Sequence, residues 1–215
     1  MAAERIRDAE RSREAILAAG ERLFADRGFD ATSIADVAAA AGLSRGAPNY
    51  FFGTKAELYV AVLERAFADR EEATREAFAP LVEWAEDAEA GASLEAVFGQ
   101  AVDGYLKFLL SHPSFLKLLQ REELAGGERL RATPRDSRAI EEAFTALRQA
   151  SGDRSLGPFD ISDAVLLFVS LTFSPLTQRA TFMASLGRDL SDPEIRSRHA
   201  QLVVDQLLHL LRFEA

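Results

Sequence analysis

The densest run of groups able to do chemistry on a partner is residues 33–52, SIADVAAAAGLSRGAPNYFF. Two short amphipathic stretches flank Ala41–Gly42–Leu43. Gly42 supplies the backbone freedom of a tight turn, and Val37 and Leu43 are placed to pack both stretches against a preceding helix. Arg45, Asn49 and Tyr50 follow on the second stretch. The geometry is that of a helix-turn-helix, whose second helix fits the ~12 Å wide major groove of DNA. A tight helical hairpin that binds nothing has the same spacing, so the pattern alone leaves both readings open.

Other chemistry is poorly supplied. With zero cysteines, the chain forms no disulfide, thiolate–zinc site, iron–sulfur cluster or cysteine nucleophile. His112, His199 and His209 are far apart and in no metal-ligand spacing. His112, just before Pro113, reads as a helix C-terminus. Glu122–Glu123 and Glu86–Asp87–Glu89 read as solvated surface, because adjacent residues on a helix do not converge on one point. Gly126–Gly127 is a break and not a phosphate loop. The expectation is no enzyme, no metal and no cofactor.

The net charge of −9 argues at first against a nucleic-acid partner. Its distribution reverses that. Residues 1–55 hold eight Lys+Arg and eight Asp+Glu, so all of the acidity lies in the other 160. Arg5, Arg7, Arg11, Arg13, Arg22 and Arg27 fall within the first 27 residues, and a solvated, ion-paired helix face is the alternative use for them. A composition 48% hydrophobic and 27% charged suits a soluble globular protein. No apolar run reaches the ~18–20 residues of a membrane span, and the charged N-terminal stretch is no secretory signal. A cytoplasmic protein without membrane partners is expected.

Nearly every long segment has helical periodicity, and none alternates convincingly, so the fold class is all-α. The spacing predicts a first helix over 8–27, with Ile16, Leu17, Gly20, Leu23 and Phe24 on one face and Gly28–Phe29 as its stop. Ser33 with Asp36 forms a capping box for a short helix, and Ser44 can cap a third, although Pro48 also permits a start near Ala47. A long helix runs from Lys55 to at least Phe78, with Pro80 a kink or an end. Further helices fit 94–110, 114–124, 136–150, 161–173, 176–186 and 193–213, about nine to ten in all. Breaks fall at Gly91, His112–Pro113, Gly126–Gly127, Gly152 to Pro158 and Gly187 to Pro193.

From Ser12 to Leu63 the sequence resembles the DNA-binding domain of the TetR family of bacterial transcriptional repressors. The matching residues are Ala15–Ile16–Leu17, Ala19, Leu23–Phe24, Gly28–Phe29 and Thr32–Ser33–Ile34. They continue through Ala35–Asp36–Val37–Ala38, Ala41–Gly42–Leu43–Ser44–Arg45–Gly46 and Tyr50–Phe51–Phe52 to Lys55 and Leu58. The resemblance implies a DNA-binding domain over 1–56 and a ligand-binding and dimerisation domain over 57–215. It also implies a homodimer on a near-palindromic double-stranded operator, released by a small-molecule effector. The DNA-contacting set it implies is Ser33, Ser44, Arg45, Gly46, Ala47, Asn49, Tyr50 and Lys55. Ser33 and Ser44 would present helix N-termini to phosphate, Ser33 being a cap first. Arg45 reaches phosphate or a guanine edge, Asn49 pairs with adenine, and Tyr50 meets a thymine methyl or phosphate. Lys55 matches the family's phosphate-contacting lysine. Phe51 and Phe52 belong to the core. The family usually has Tyr then His where this chain has Asn49 then Tyr50, so the bases read are its own.

In 57–215 the helix from Ile161 is apolar nearly all round, and a wide apolar stripe runs along the last helix. A buried core helix accounts for the first, and so does a dimer seam; the resemblance favours a seam of Ile161, Val165, Phe168, Leu202, Val203, Gln206, Leu207 and Leu210. Phe98, Tyr105, Phe108, Phe115, Leu118, Phe144, Phe173, Phe182 and Met183 could line a largely apolar pocket, or could be core. A helical scaffold or protein-binding adaptor without DNA activity is the alternative function.

Overall fold

A computed structural model describes residues 2–86, 93–131, 138–150 and 160–211. All of its regular elements in this range are helices, as the periodicity requires. They fall into two compact units: Met1–Asp69 with Pro113–Arg135, and Arg70–His112 with Asp136–Ala215. The expected breaks at Gly91 and Gly152 to Pro158, Asp87, Glu89, the helix start at 136 and the helix end at 213 lie outside the described residues.

The first unit contains α1 (Ala2–Arg27), α2 (Ile34–Ala40), α3 (Ala47–Phe52), the beginning of α4 (Lys55–Glu86), α6 (Pro113–Leu124) and the four-residue α7 (Glu128–Arg131), which had no sequence signal. Helix α1 starts six residues earlier than the expected 8–27. Its charged first turns are held by an Arg11–Asp8 ion pair and by Ser12 Oγ donating to the Asp8 carbonyl at 2.9 Å. Of the predicted face, Ile16, Leu17 and Phe24 are buried and Leu23 is half-buried, with Phe24 edge-on to Tyr59 at 4.8 Å. Gly20 allows that approach: a Cβ there would lie 3.1 Å from Val62 Cγ2. Helix α6 packs on α1, with Arg121 donating to the carbonyls of Ala25 (2.8 Å) and Asp26 (2.6 Å), the last turn whose carbonyls lack helical donors.

The second unit contains the rest of α4, then α5 (Leu94–Ser111), α8 (Arg138–Ala150), α9 (Ile161–Thr177), a π-helical turn (Arg179–Met183) and α10 (Pro193–Leu211). Helix α5 packs on α10, and α9 packs on α8, α10 and α5. Phe78, Phe98, Tyr105, Phe144 and Phe168 meet at ring separations of 5.2–6.3 Å, mostly edge to face. Helix α4 continues through Pro80 to Glu86. The predicted break between 173 and 176 and the separate helix 176–186 do not form; α9 passes through Pro175 and ends in the π turn. Proline at 175 removes the N–H that the Leu171 carbonyl would accept. His199 Nε2, from α10, lies 2.8 Å from that carbonyl and donates to it instead.

Candidate nucleic-acid interface

The Ser33–Asp36 capping box forms as its spacing predicts. Asp36 N–H donates to Ser33 Oγ at 3.1 Å, while Ser33 N–H and hydroxyl donate to Asp36 Oδ2 at 2.9 and 2.7 Å. These bonds hold the Asp36 carboxyl below its ordinary value. Ser33 is therefore occupied as a cap. Gly42, at φ 69°, turns the chain, and Leu43 N–H closes the turn on the Ala38 carbonyl at 3.0 Å.

Ser44 does not cap the next helix. Its carbonyl accepts from Ala47 N–H at 2.9 Å in a turn, and α3 begins at Ala47 with Gly46 as its cap residue. The reason is Pro48, which is buried and sits in the first turn, where a helix N–H has no partner to lose. Starting α3 two residues later makes it a six-residue helix, with Arg45 and Gly46 in the turn before it. Arg45 is exposed and forms no hydrogen bond or ion pair with the described residues. Tyr50 is 85% exposed, with the Phe51 ring edge-on at 5.1 Å. Asn49 is exposed, but its Nδ2 donates to the Gly53 carbonyl at 2.7 Å, closing the end of α3. Phe51 and Phe52 are half-buried, and the Arg13 guanidinium lies 5.0 Å from the Phe52 ring centre.

Thr54 and Glu57 form a second capping box, at the start of α4. Thr54 N–H and hydroxyl donate to Glu57 Oε2 at 2.7 and 2.8 Å, and Glu57 N–H donates back to Thr54 Oγ1 at 3.2 Å. The Thr54 backbone bond, then its hydroxyl, lowers the Glu57 carboxyl. The T-x-x-E signal of residues 54–57 marks this box in the sequence, although the expected caps were only Ser33 and Ser44. Lys55, the first residue of α4, has Nζ 3.3 Å from the Asp30 carbonyl and 4.3 Å from the Phe29 ring centre. Its ammonium is thus positioned by the loop that enters α2.

Glu122 corrects the expectation of a solvated acidic pair. It is 1% exposed and accepts the Tyr59 hydroxyl at 2.8 Å. Burial first, then that bond, pushes the Tyr59 hydroxyl well above its ordinary value. No local signal in the sequence marks this, since the partners are 63 residues apart. Glu123 is exposed as expected.

The residues named for a pocket do not converge on one place. Phe98, Tyr105, Phe144 and, at 6.5 Å from Tyr105, Phe173 share the aromatic cluster of the second unit. Phe115 and Leu118 are buried in the first unit, Phe115 edge-on to Phe67 at 5.4 Å. Phe108 stacks on His112, Met183 is buried and Phe182 is 58% exposed. Of the residues named for a seam, Phe168, Val203 and Leu207 are buried within the protomer itself. Ile161, Val165 and Leu210 are half-buried, Gln206 is exposed and Leu202 is 47% exposed. Leu166, 65% exposed on α9, was not named. Among the described residues no cluster of His, Asp or Glu could hold a metal ion, and no helix is long and apolar enough to cross a membrane.

Comparison with known proteins agrees with this architecture from end to end. The family model for bacterial regulatory proteins of the tetR family matches residues 16–62, and that for the tetracyclin repressor-like C-terminal domain matches 95–207. The HTH-type transcriptional repressor NicS of Pseudomonas putida is 27% identical over 213 residues, 97% of this chain and 96% of that protein. The regulator TtgR, also from Pseudomonas putida, is 44% identical over 57 residues, 26% of this chain and 27% of that protein. A TetR-family regulator from Mesorhizobium loti superimposes with a TM-score of 0.64 at 21% identity, over 94% of this chain and 97% of that one. The curated relatives are regulators and not enzymes. With both family domains matched in order around a helix-turn-helix, the chain belongs to the TetR family of bacterial transcriptional regulators.

Proposed function

We propose that the protein is a repressor that binds a near-palindromic operator as a homodimer and leaves it when a small, largely apolar ligand enters 57–215. The observation that carries the DNA part is the helix-turn-helix with Arg45 and Tyr50 exposed at α3 and Lys55 held at the start of α4. Arg45 and Lys55 supply phosphate contacts, and Tyr50 with the residues beside it reads base edges. Asn49 reads adenine only by giving up its bond to Gly53, which makes it the weaker reader of the two. Ser33 and Ser44, Gly46 and Ala47 bring backbone close to phosphate.

Two-fold pairing sets two copies of α3 about one DNA turn, ~34–36 Å, apart or modestly further. The surfaces offered for pairing are Leu166 on α9 and Leu202 and Gln206 on α10. Ligand entry has to open the aromatic cluster around Phe98, Tyr105 and Phe144, since Phe98 packs on Phe144 and both Tyr105 and Phe144 pack on Phe168. A ligand that favours the non-binding state by ~1.4 kcal/mol weakens DNA affinity tenfold, and DNA weakens the ligand equally.

Mobility shift against the DNA flanking the gene tests this, with a specific complex expected at ~50 mM salt and weakened steeply as salt rises. Leu202→Glu should give a folded monomer by light scattering that no longer shifts the operator. A folded wild-type monomer at micromolar concentration, or no shift at low salt, would favour the scaffold alternative.

A further inference from the structure

The first unit holds a cavity of about 340 Å³ whose lining includes Phe29, Tyr59, Arg121, Glu122 and Arg129. At its back the Glu122 carboxylate is buried, and only one of its oxygens is used. Oε1 accepts Tyr59 at 2.8 Å and lies 3.7 Å from Arg129, while Oε2 has no hydrogen-bond partner. A buried carboxylate oxygen left unpaired is costly, so the site is short of a donor. Aromatic faces stand beside it: the Phe29 and Tyr59 rings meet edge-on at 5.1 Å. The guanidinium carbon of Arg129 sits 4.2 Å from the Phe29 ring centre and 5.8 Å from that of Tyr59. A carboxylate flanked by aromatic rings is the chemistry that holds an organic cation.

Arg129 is an occupant that can leave. It lies on the four-residue α7, joined to α6 only through Ala125–Gly126–Gly127, and about a third of its side chain is exposed. Arg121 is fixed by its bonds to the carbonyls of Ala25 and Asp26. The charge count agrees. Arg27, Arg121 and Arg129 against Asp30 and Glu122 give +1 with Arg129 in place, so one cation exchanged for another leaves the balance unchanged. An anion would have to displace the backbone bonds of Arg121 and face a buried carboxylate.

We propose that Phe29, Tyr59 and Glu122 form a binding site for a small organic cation of the guanidinium or alkylammonium class, which enters by displacing Arg129. This site is separate from the aromatic cluster of the second unit. It sits one residue from the Asp30 carbonyl that positions Lys55, and Lys55 shares the Phe29 ring, so its occupancy acts directly on the start of α4.

The test uses the full chain with ethylguanidinium as probe, and ethylurea and equimolar sodium chloride as controls. Binding is read by titration calorimetry and by thermal melting. Arg129→Ala, which empties the cage, should bind ethylguanidinium saturably and at least ~10-fold more tightly than the wild type, where Arg129 competes. Glu122→Gln in the Arg129→Ala background should weaken that binding at least ~10-fold. If Arg129→Ala does not fold, Arg129→Met keeps the stem packing and serves instead. Saturable wild-type binding with increased hydrogen exchange at 126–131 supports displacement. Equal binding of ethylurea, equal binding by the double variant, or no saturable wild-type binding would each overturn the proposal, the last leaving only an internal clasp.

Discussion

The helix ends of the recognition region and the core of the second unit are held by interactions of different reach. The former are set by bonds three or four residues long, Ser33–Asp36, Asn49–Gly53 and Thr54–Glu57, although the first unit elsewhere uses distant pairs such as Tyr59–Glu122. In the second, the core is set by rings 20 to 90 residues apart, such as Phe78–Phe98 and Phe78–Phe168. Local bonds fix the ends of short helices without burying them, so α3, closed at its end by Asn49 on the Gly53 carbonyl, can remain exposed and still hold its shape. Long-range ring packing fixes a core only as a whole. Opening it disturbs several helices at once, as the proposed ligand entry would require.

The largest effect should come from breaking the long-range side. Phe168→Ala removes a ring that meets Phe78, Tyr105 and Phe144, and should cost ~3–5 kcal/mol in denaturant unfolding followed by Trp84 fluorescence. His199→Ala is next, because the Leu171 carbonyl then has no donor; about 1–3 kcal/mol is expected. Pro175→Ala restores a helical N–H for that carbonyl, so His199→Ala should cost clearly less in its presence. A double-mutant cycle that shows simple additivity would remove the account of how α9 passes Pro175.

On the local side, Ser33→Ala should cost ~1 kcal/mol and leave Trp84 unchanged at low denaturant. The smallest effect is a titration. Ser191 backbone N–H (2.9 Å) and hydroxyl, then Arg179 (2.7 Å), hold the Asp189 carboxyl down to about 2 from 3.8. A depressed carboxyl stabilises the fold above its unfolded value and loses that contribution as pH falls through about 2. Carboxyl NMR should find Asp189 titrating closer to its ordinary value in Arg179→Gln, with less acid dependence of stability below pH ~4.

Legibility in the sequence follows the same division. The Ser33 cap, the Gly42 turn and the inward face of α1 were readable because their causes lie within a few residues. Helices α5, α6 and α10 were readable from punctuation at Gly91, His112–Pro113 and Gly187 to Pro193. Pro48 left the start of α3 open between a Ser44 cap and a start near Ala47, and the structure takes the latter. The separation of 161–173 from 176–186 failed for a long-range reason: whether Pro175 ends a helix depends on a donor from another helix, here His199. Glu122 looked like surface because its partner Tyr59 is distant, and the aromatics of 57–215 gave no sign of which would meet.

The central claim is that exposed groups around α3 and the start of α4 read DNA. It is tested most directly by operator affinity against salt concentration and base sequence, for wild type, Lys55→Ala and Tyr50→Ala. Lys55→Ala should weaken all sequences alike and make the salt slope shallower by about one, whereas Tyr50→Ala should change which bases are preferred. Two variants with wild-type slope, affinity and preference would contradict it.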